Sequence, residues 1–522
     1  MELDKTGKVY LIGGGPGDPG LITIRALEAI SEADAVVYDR LINPSLLNWA
    51  RKEAELVDVG KERGRHSWPQ QKINDLLVKL ASQGKTVARL KGGDPFVLGR
   101  GGEEALTLRE NNLLFEIIPG VTSAVAAPAY AGIPVTHRGI AASFAVITGH
   151  EDPTKEHSSI NWANLASGMD TLVFLMGMEN LGFISSQLIK NGRPAGTPVA
   201  LISHGTLSSQ KTVVGNLGNI VETAQASGIK APAVIVVGGV VSLREKLRWF
   251  DNKPLFGKKV LITRPRRQSV ALSAALEREG AEPVEAPTIE INLNSRVIGN
   301  VINRLGDFDW LVFTSANGVA AFYEAVSEKG LDSRVLAGLK ICAIGPATAH
   351  ALASEGVRAD LVPAEFSTEG ILASLKGKRI AGKSFLLLRA DLATTELEDE
   401  LERRGASVKR LSVYRTVLAS KVDDELKEKL AGSGIDIIMF TSASTVKGFY
   451  NLMGKDFSSL GNPVIACIGP VTAAAAKKLG LKVDVAAEEH TIDGLIAAVK
   501  EYVGKTQKSK VRISGPEHPP LP

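Results

Sequence analysis

The sequence is poor in the residues that build disulfide frameworks and thiolate metal sites. Only two cysteines, Cys342 and Cys467, occur among 522 residues, and either kind of site needs more. Both lie within apolar runs that predict strands, so we expect them to be buried as small hydrophobic side chains. The eight histidines show no H-x-x-x-H or H-E-x-x-H spacing, and we predict no bound metal.

Long apolar runs and a strong charge imbalance are also missing. No run reaches the roughly 18 apolar residues of a membrane helix, and the first residues, MELDKTGK, lack the form of a signal peptide. We therefore expect a cytoplasmic protein without a membrane partner. The formal net charge of +4 is small for this length, which argues against nucleic acid as a partner. With 44% apolar residues, the chain can supply the cores of several domains.

Two glycine-rich strings mark the first part of the chain, LIGGGPGDPGLIT (11–23) and RLKGGDPFVLGRGGEE (89–104). Each follows an apolar run that predicts a strand. Both strings should therefore lie on loops at strand ends, where backbone can approach a ligand closely. The pattern predicts one ligand site built from two loops.

The first string also contains the dinucleotide pattern G-x-G-x-x-G at residues 15–20. A predicted helix (21–31) follows, and Asp39 closes the next strand, as nicotinamide-binding folds require. A nicotinamide oxidoreductase is therefore an alternative. Against it, Pro16 and Pro19 remove N–H donors from the turn that would hold a pyrophosphate.

Three later segments extend the pattern of the glycine strings. They are IIPGVTSAVAAPAYAGIPVTHR (117–138), TLVFLMGMENL (171–181) and PVALISHGT (198–206). With these segments, residues 7–245 resemble the uroporphyrinogen-III C-methyltransferases among the tetrapyrrole methylases. The resemblance implies a two-lobed methylase fold, S-adenosylmethionine as methyl donor, and a homodimer formed through this half of the chain.

The same resemblance implies site residues. The acid–base pair of the family falls on Asp39 and Lys61: a carboxylate can take the proton lost from the methylated pyrrole, and an ammonium can restore one. The cofactor contacts fall on Pro16, Gly92, Gly93, Asp94, Val97, Thr122, Ser123, Met176 and Gly205. A substrate with many carboxylates calls for cations near the motifs. Candidates are Arg40, Arg63, Arg65, Lys91, Arg100 and Arg138.

The organisation changes near residue 250, where a charged segment with Pro and Gly predicts a linker (251–257). An internal duplication follows. VLITRPRRQSVALSAALEREG (260–280) aligns with FLLLRADLATTELEDELERRG (385–405), and FDWLVFTSANGVAAFYEAV (308–326) with IDIIMFTSASTVKGFYNLM (435–453). The copies lie about 125 residues apart. Their alternating strand and helix patterns predict two α/β lobes with parallel sheets.

Four loops of the duplicated half fall at predicted strand-to-helix junctions: TSAN (314–317), TSAS (441–444), GPAT (345–348) and GPVT (469–472). Ligands of parallel α/β sheets bind at the carboxyl ends of strands, and helix N-termini there favour anions. Any one of these hydroxyls can instead be an N-cap. The candidates for substrate contact are Thr314, Ser315, Thr441, Ser442 and Thr472.

Residues 255–505 resemble uroporphyrinogen-III synthase through these repeats and the segment VYRT around Tyr414. In that family the chain crosses twice between its lobes, which implies one lobe from about 258–288 and 416–503 and the other from about 289–413. We predict that the Tyr414 phenol donates a proton to the departing hydroxyl of the substrate, with a packing tyrosine as the alternative. Arg264, Arg389 and Arg415 are candidates for binding substrate carboxylates.

The two resemblances together imply a bifunctional enzyme of tetrapyrrole biosynthesis. Residues 258–505 would cyclise hydroxymethylbilane to uroporphyrinogen III with inversion of the last ring. Residues 1–250 would methylate carbons 2 and 7 of that product, giving precorrin-2 for sirohaem and cobalamin. The alternative is a methylase of a later corrin intermediate fused to a non-catalytic two-lobed binding module. The polar, proline-rich tail (506–522) predicts disorder.

Overall fold

The structure is a computed structural model that describes residues 7–60, 68–150, 160–391, 393–418, 434–453, 460 and 462–513. It consists of two units, each of which alternates strands and helices. The first unit comprises the described residues of 1–258 and the second comprises those of 259–505, except that 275–282 and the described residues after 505, which continue elements of the second unit, group with the first. The predicted α/β class is confirmed for both halves of the chain.

Five parallel strands form the first sheet of the first unit, with the order β3-β2-β4-β1-β5. The strands are β1 (Lys8–Gly13), β2 (Ala35–Tyr38), β3 (Glu55–Asp58), β4 (Val87–Lys91) and β5 (Leu114–Ile118). The helices with them are α1 (Ile24–Glu32), α2 (Gln70–Ser82) and α3 (Gly101–Glu110), besides 3₁₀ turns at Pro19–Leu21 and Pro44–Trp49. The central strands are buried on both faces, as in other parallel sheets.

The helix predicted from residue 21 begins later in the structure. The Thr23 hydroxyl accepts a hydrogen bond from the backbone N–H of Ala26 at 3.2 Å, so Thr23 is the N-cap of α1. The residues before it form a 3₁₀ turn that is capped by Asp18.

A second, mixed sheet completes the first unit, with the order β6-β7-β10-β8-β9. Its strands are β6 (Phe144–Thr148), β7 (Thr171–Leu175), β8 (Pro198–Ser203), β9 (Lys211–Asn216) and β10 (Ala233–Val237). Strand β10 pairs antiparallel with both β7 and β8. The helices of this part are α4 (Ser123–Tyr130), α5 (Trp162–Gly168), α6 (Leu181–Lys190), α7 (Ile220–Ser227) and α8 (Arg244–Leu247), with a 3₁₀ turn at Gly239–Leu243.

The segment predicted to be a linker is packed against the first unit. Phe250 and Leu255 are buried, and the Phe250 ring lies 4.8 Å from the ring of Tyr130, measured between centroids. The Arg244 guanidinium pairs with Asp251 and donates to the backbone carbonyl of Ala131. Residues 244–256 therefore belong to the folded surface of this unit because they bury aromatic and aliphatic side chains on it.

Two five-stranded sheets form the second unit. One has the order β12-β11-β18-β19-β20, and its strands are β11 (Lys259–Ile262), β12 (Glu282–Glu285), β18 (Ile437–Phe440), β19 (Val464–Cys467) and β20 (Val485–Ala486). The helices with it are α9 (Arg266–Arg278), α15 (Ala443–Met453), α16 (Pro470–Lys478) and α17 (Ile492–Ile513). We call this part lobe A.

The other sheet has the order β13-β17-β16-β14-β15, and we call this part lobe B. Its strands are β13 (Ile289–Leu293), β14 (Trp310–Phe313), β15 (Lys340–Ala343), β16 (Ser384–Ala390) and β17 (Ser407–Leu418). Its helices are α10 (Ser295–Gly299), α11 (Ala316–Glu328), α12 (Pro346–Ser354), α13 (Thr368–Ser374) and α14 (Glu396–Arg403), with 3₁₀ turns at Ile302–Asp307 and Ser333–Leu336. The edge strand β13 is antiparallel to β17, so this sheet is not wholly parallel as predicted.

The two sequence repeats are divided between the two lobes. Lobe A takes β11 and α9 from the first repeat, but β18, α15, β19 and α16 from the second. Lobe B takes the complementary segments. In each lobe the strand that leads to the arginine pairs with the strand that leads to the TSA loop: β11 pairs with β18 in lobe A, and β16 pairs with β14 in lobe B. Equivalent loops therefore lie at the carboxyl edge of both sheets.

Other sequence-based expectations have mixed outcomes. Cys342 and Cys467 are buried, which confirms that expectation. Burial raises the pKa of the Cys342 thiol to about 12 and that of Cys467 to about 11. Helix α17 runs to Ile513, so the prediction of disorder from residue 506 is wrong for residues 506–513, and the rest of that tail lies outside the described residues. None of the described helices has the length and apolar character needed to cross a membrane.

Candidate functional site

The two glycine strings of the first unit meet at the carboxyl edge of its first sheet. The N–H of Gly15 donates to the carbonyl of Gly93 at 3.1 Å, and the N–H of Gly93 donates to the carbonyl of Gly15 at 2.7 Å. A methyl group placed on Gly120, after β5, would lie 2.3 Å from the Gly93 oxygen and 2.6 Å from the Gly13 Cα. Three strand ends therefore approach so closely that only glycine fits between them.

Asp94 holds this junction together through its carboxylate. One oxygen accepts hydrogen bonds from the backbone N–H groups of Phe96 and Val97, at 2.8 and 3.1 Å. The other accepts from the N–H of Gly120 at 3.1 Å. The bonds to Phe96 and Val97 are those of a turn aspartate before Pro95, which is the structural alternative to cofactor binding that the sequence offers for Asp94. The bond to Gly120 also joins the loop after β4 to the loop after β5.

The remaining candidates for cofactor binding lie on loops around this junction. A methyl group on Gly93 would lie 3.7 Å from both Thr122 and Ser123, and Thr122 is the N-cap of α4. Gly205 packs against the same helix, because a methyl group there would lie 2.4 Å from the Ala127 Cβ. The N–H of Asp18, two residues after Pro16, donates to the Thr206 hydroxyl at 3.0 Å.

Left-handed backbone occurs at several non-glycine residues of these loops. Met176 follows β7 with φ of 58° and an exposed side chain. His204 and Thr206, after β8, have φ of 49° and 74°. Such conformations cost of order 1–3 kcal/mol each and cluster at functional sites. The strain therefore marks the loops that carry Met176 and Gly205.

Asp39 ends β2 and is bonded to a buried cation. The Arg89 guanidinium donates to one oxygen of Asp39 at 2.7 Å and to Glu104 at 3.1 Å. The side chain of Arg89 is 2% exposed, whereas that of Asp39 is 32% exposed. Among the described residues, the second oxygen of Asp39 has no hydrogen-bond donor. Asp39 therefore offers one free carboxylate oxygen in a fixed orientation.

Three charged residues of this site, Arg89, Lys91 and Glu104, are buried. Lys91 donates to Glu104 at 2.8 Å, and burial lowers the pKa of Lys91. The expectation that Lys91 binds substrate is thereby corrected, because its ammonium lies inside the protein. Sequence analysis missed Arg89 and Glu104. The available signal was the strand VARLK (87–91), in which Arg89 and Lys91 stand two positions apart in a strand that the fold buries.

The strand order separates this site from a dinucleotide fold. In such folds the strand before the glycine turn and the strand that ends in the acidic residue are neighbours. Here β4 lies between β1 and β2, and Arg89 on β4 forms an ion pair with one oxygen of Asp39. The structure therefore argues against the nicotinamide alternative.

The cationic candidates around this site differ in their surroundings. Arg40 packs on Gly60, where an added methyl group would lie 2.6 Å from the Arg40 Cβ. Arg100 is exposed and pairs with Glu103 at 2.7 Å, and Arg138 is exposed. The candidates Lys61, Arg63 and Arg65 lie outside the described residues.

In the second unit the duplication places two arginines at equivalent positions with different partners. Arg389 of lobe B is 6% exposed and donates to the Glu398 carboxylate, so the expectation that it binds substrate is corrected. In lobe A, Ser273 stands where Glu398 would be. Among the described residues no carboxylate lies within ion-pair distance of Arg264, and burial lowers its pKa without a compensating negative charge. Arg264 is therefore a half-buried cation without an acidic partner in the described part of the chain.

The hydroxyl groups of the four loops mostly form hydrogen bonds with backbone groups. Ser315 caps α11 by accepting from the N–H of Gly318 at 3.1 Å. Ser442 accepts from the N–H of Thr445 at 3.3 Å. Thr314 donates to the carbonyl of Leu388 at 3.2 Å. The contacts of Ser315 and Ser442 match the capping alternative. Thr441 is only partly buried, and among the described residues its hydroxyl makes no such hydrogen bond. Thr472 is buried.

A side-chain hydrogen bond joins the carboxyl edges of the two lobes. Gln268, near the start of α9, donates to Asn317 at the start of α11, at 2.8 Å. Arg264 lies on the loop between β11 and α9 and donates to the Gln268 side chain at 3.3 Å. The loops of both lobes therefore face one region.

Tyr414 lies on β17, opposite Leu293 of β13. Its ring is half-buried and packs against the core of lobe B, as the packing alternative holds. Among the described residues its hydroxyl has no hydrogen-bond partner, so the hydroxyl is available to a ligand. Its neighbour Arg415 is exposed and pairs with Asp391 at 3.3 Å.

No metal centre is visible among the residues described here, since they contain no group of three or more His, Cys, Asp or Glu side chains that could hold an ion.

Comparisons with known proteins follow the division into two halves. Residues 8–221 match the model of the tetrapyrrole (corrin/porphyrin) methylases, and residues 270–497 match that of uroporphyrinogen-III synthase HemD. The porphyrin biosynthesis protein HemD of Ruminiclostridium josui is 41% identical over 501 residues, which are 95% of this chain and 98% of that protein. The uroporphyrinogen-III C-methyltransferase of Priestia megaterium is 52% identical over 236 residues, which are 45% of this chain and 99% of that protein.

A relative of the same length aligns with nearly the whole chain, and two family models match its two halves. Both resemblances found in the sequence are thereby confirmed. The chain belongs to the tetrapyrrole-biosynthesis enzymes in which a tetrapyrrole methylase is fused to a uroporphyrinogen-III synthase.

Proposed function

We propose that the chain catalyses two consecutive reactions. It cyclises hydroxymethylbilane to uroporphyrinogen III with inversion of the last ring, and it transfers methyl groups from S-adenosylmethionine to carbons 2 and 7 of that product, giving precorrin-2. The observation that carries the proposal is the presence of both family domains in one chain, because the product of a synthase of this kind is the substrate of a methylase of this kind.

The junction of the glycine loops fits the methyl donor. When bound, S-adenosylmethionine supplies a methyl group on a cationic sulfonium. Among the candidate residues at the junction only Asp94 is charged, and its charge is negative. Gly92 is partly exposed and lets the ribose or the amino-acid portion approach its backbone, and the exposed side chains of Phe96 and Met176 can cover an uncharged adenine.

Asp39 is proposed as the base of the methylation. Arg89 holds one of its oxygens at 2.7 Å, which leaves the other to take the proton that the cationic ring system loses elsewhere after its pyrrole carbon has been methylated. Because Arg89 is buried and also bonded to Glu104, the carboxylate is held in place without reorganisation during the reaction. Lys61 is proposed as the proton donor, and Arg40, Arg63, Arg100 and Arg138 as partners of substrate carboxylates.

In the second unit, Arg264 is proposed to bind a carboxylate of hydroxymethylbilane. A half-buried guanidinium without an acidic partner gains a charge-assisted hydrogen bond when such a group arrives. Loss of the hydroxyl from the substrate leaves a delocalised cation, so the enzyme has to fold the chain for ring closure rather than supply a strong base. The free hydroxyl of Tyr414 is proposed to donate the proton to the departing group. Contacts from Thr441 and from the backbone of the other loops are proposed to position the rings.

A homodimer formed through the methyltransferase half is also proposed, as the family resemblance implies. Light scattering of the purified full-length chain should give twice the mass of one chain. A mass of one chain at micromolar concentration would refute the dimer.

A coupled assay tests both reactions. The full-length chain is incubated with hydroxymethylbilane, with and without S-adenosylmethionine, and the oxidised products are separated as uroporphyrin isomers. We expect isomer III without the methyl donor and a doubly methylated product with it, whereas an enzyme-free control gives isomer I. Isomer I alone would refute the synthase assignment. Failure to methylate supplied uroporphyrinogen III would refute the methylase assignment.

A further inference from the structure

The two lobes of the second unit share a turn that sequence analysis did not single out. In lobe B, the N–H of Ser367 donates to the carbonyl of Glu365 at 2.9 Å, and in lobe A, the N–H of Thr491 donates to that of Glu489 at 2.8 Å. In both, the hydroxyl then caps the next helix, accepting from Gly370 at 3.1 Å and from Gly494 at 3.0 Å. The residue at the tip of the turn is Phe366 in one copy and His490 in the other.

Both tip residues carry a ring, and both rings are exposed. Phe366 is 59% exposed, and His490 is also exposed. Phe366 lies at the carboxyl edge of its sheet, where ligands of parallel α/β sheets bind, so its exposed ring is available to a ligand.

Each ring lies against the glycine of a GP turn. A methyl group on Gly345 would lie 3.2 Å from the Cβ and Cγ of Phe366, and one on Gly469 would lie 2.7 Å from the Cδ2 of His490. Neither glycine is needed for its backbone conformation, since φ is −170° at Gly345 and 179° at Gly469. The glycines are explained by the space that the rings occupy.

The two edges differ in charge. The edge with His490 also carries Arg264, whose guanidinium has no acidic partner among the described residues. The edge with Phe366 carries the equivalent arginine, Arg389, but Glu398 neutralises it. One edge therefore suits an anionic group and the other an uncharged, electron-rich ring.

We propose that Phe366 and His490 form a pair of substrate-binding rings in the synthase half. Phe366 stacks on a pyrrole of the linear tetrapyrrole, and the His490 imidazole donates a hydrogen bond to one of its carboxylates. This inference rests on the proposed synthase function. The two copies of the turn then bind two different parts of one substrate.

The test compares Phe366→Ala and His490→Gln with the full-length enzyme. Loss of one aromatic stack should raise the KM for hydroxymethylbilane about 2- to 12-fold, and loss of a hydrogen bond to a charged group about 10-fold or more. Both rings are exposed, so the unfolding temperature should not change, and neither should methylation of supplied uroporphyrinogen III. Leu331→Ala is the matched control, because Leu331 is exposed but precedes β15, at the opposite edge of the sheet.

Gly469→Ala tests the role of His490 a second time while keeping its ring. The added methyl group must displace the imidazole, so its KM should rise as in His490→Gln. Unchanged KM values in a folded Phe366→Ala and a folded His490→Gln enzyme would overturn the inference while leaving the synthase function intact. A wild-type chain that fails to cyclise hydroxymethylbilane would instead refute the proposed function itself.

Discussion

Arg264 and Arg389 occupy equivalent positions of the duplication but should respond in opposite ways to the same substitution. We predict that Arg264→Gln impairs binding of hydroxymethylbilane and leaves stability unchanged. Arg389→Gln should destabilise the protein and leave binding by the folded enzyme unchanged. Each variant is the control for the other, since both replace an arginine at the end of a strand next to a TSA loop.

The magnitudes follow from the partners of the two guanidinium groups. Arg389→Gln leaves Glu398 buried without its ion-pair partner, which typically costs 3–5 kcal/mol. Arg410, whose guanidinium lies 3.7 Å from the other oxygen of Glu398, offsets part of that loss, so we expect about 3 kcal/mol. For a unit of this size the unfolding temperature should fall by about 6–12 °C.

Arg264 has no such partner to lose. Among the described residues its side chain makes one hydrogen bond, of 3.3 Å, to Gln268, and burial lowers its pKa, which means that folding disfavours its charge. A neutral glutamine should therefore cost little stability. Binding loses a hydrogen bond between charged groups, worth about 1.5–3 kcal/mol, so KM should rise about 10- to 100-fold.

The assay measures the initial rate of hydroxymethylbilane consumption against its concentration, together with a thermal unfolding curve for each variant. Arg264→Lys should keep part of the affinity, because lysine retains the positive charge but lacks the planar guanidinium that can donate two hydrogen bonds to one carboxylate. The reasoning would be refuted if Arg264→Gln melted as low as Arg389→Gln, or if its KM equalled that of the wild type.

Three further outcomes are expected. Asp39→Asn should slow methylation of uroporphyrinogen III about 10²–10⁴-fold without weakening the binding of S-adenosylmethionine, and a wild-type turnover number would contradict the role of base. Tyr414→Phe should lower the ratio of isomer III to isomer I and slow cyclisation about 10-fold or more, because it removes only the hydroxyl and keeps the packed ring; an unchanged ratio and rate would leave packing as its sole role. Cys342 and Cys467 should not react with a thiol reagent in the native chain at pH 8, because their pKa values of about 12 and 11 leave almost no thiolate, and both should react in denaturant; rapid reaction of the native protein would show that these strands open.

Several parts of the architecture could be predicted because they depend on local patterns. Apolar runs bounded by glycine turns predicted the strands on which both cysteines are buried. The repeated arginine and TSA segments predicted equivalent loops in two α/β lobes, since the same local sequence forms the same strand-to-helix junction. The glycine strings predicted a close approach of two loops, and Gly15 and Gly93 are indeed paired.

Other features were decided by partners that lie far apart in the chain. The G-x-G-x-x-G string and Asp39 are compatible with two kinds of fold, and although Pro16 and Pro19 already argue against a dinucleotide fold, the position of β4 between β1 and β2 separates the two in space. The buried bond from Arg89 to Asp39 depends on that same strand order.

The sequence by itself determined the two families, the duplication and the loops at which ligands bind, because each is written in contiguous residues. Tertiary structure alone decided which side chains remain available there. Glu398 neutralises Arg389, whereas no described carboxylate pairs with Arg264, and the Asp94 carboxylate joins two loops. Availability depends on burial and on the pairing of charges, and both are properties of neighbours in space rather than of neighbours in sequence.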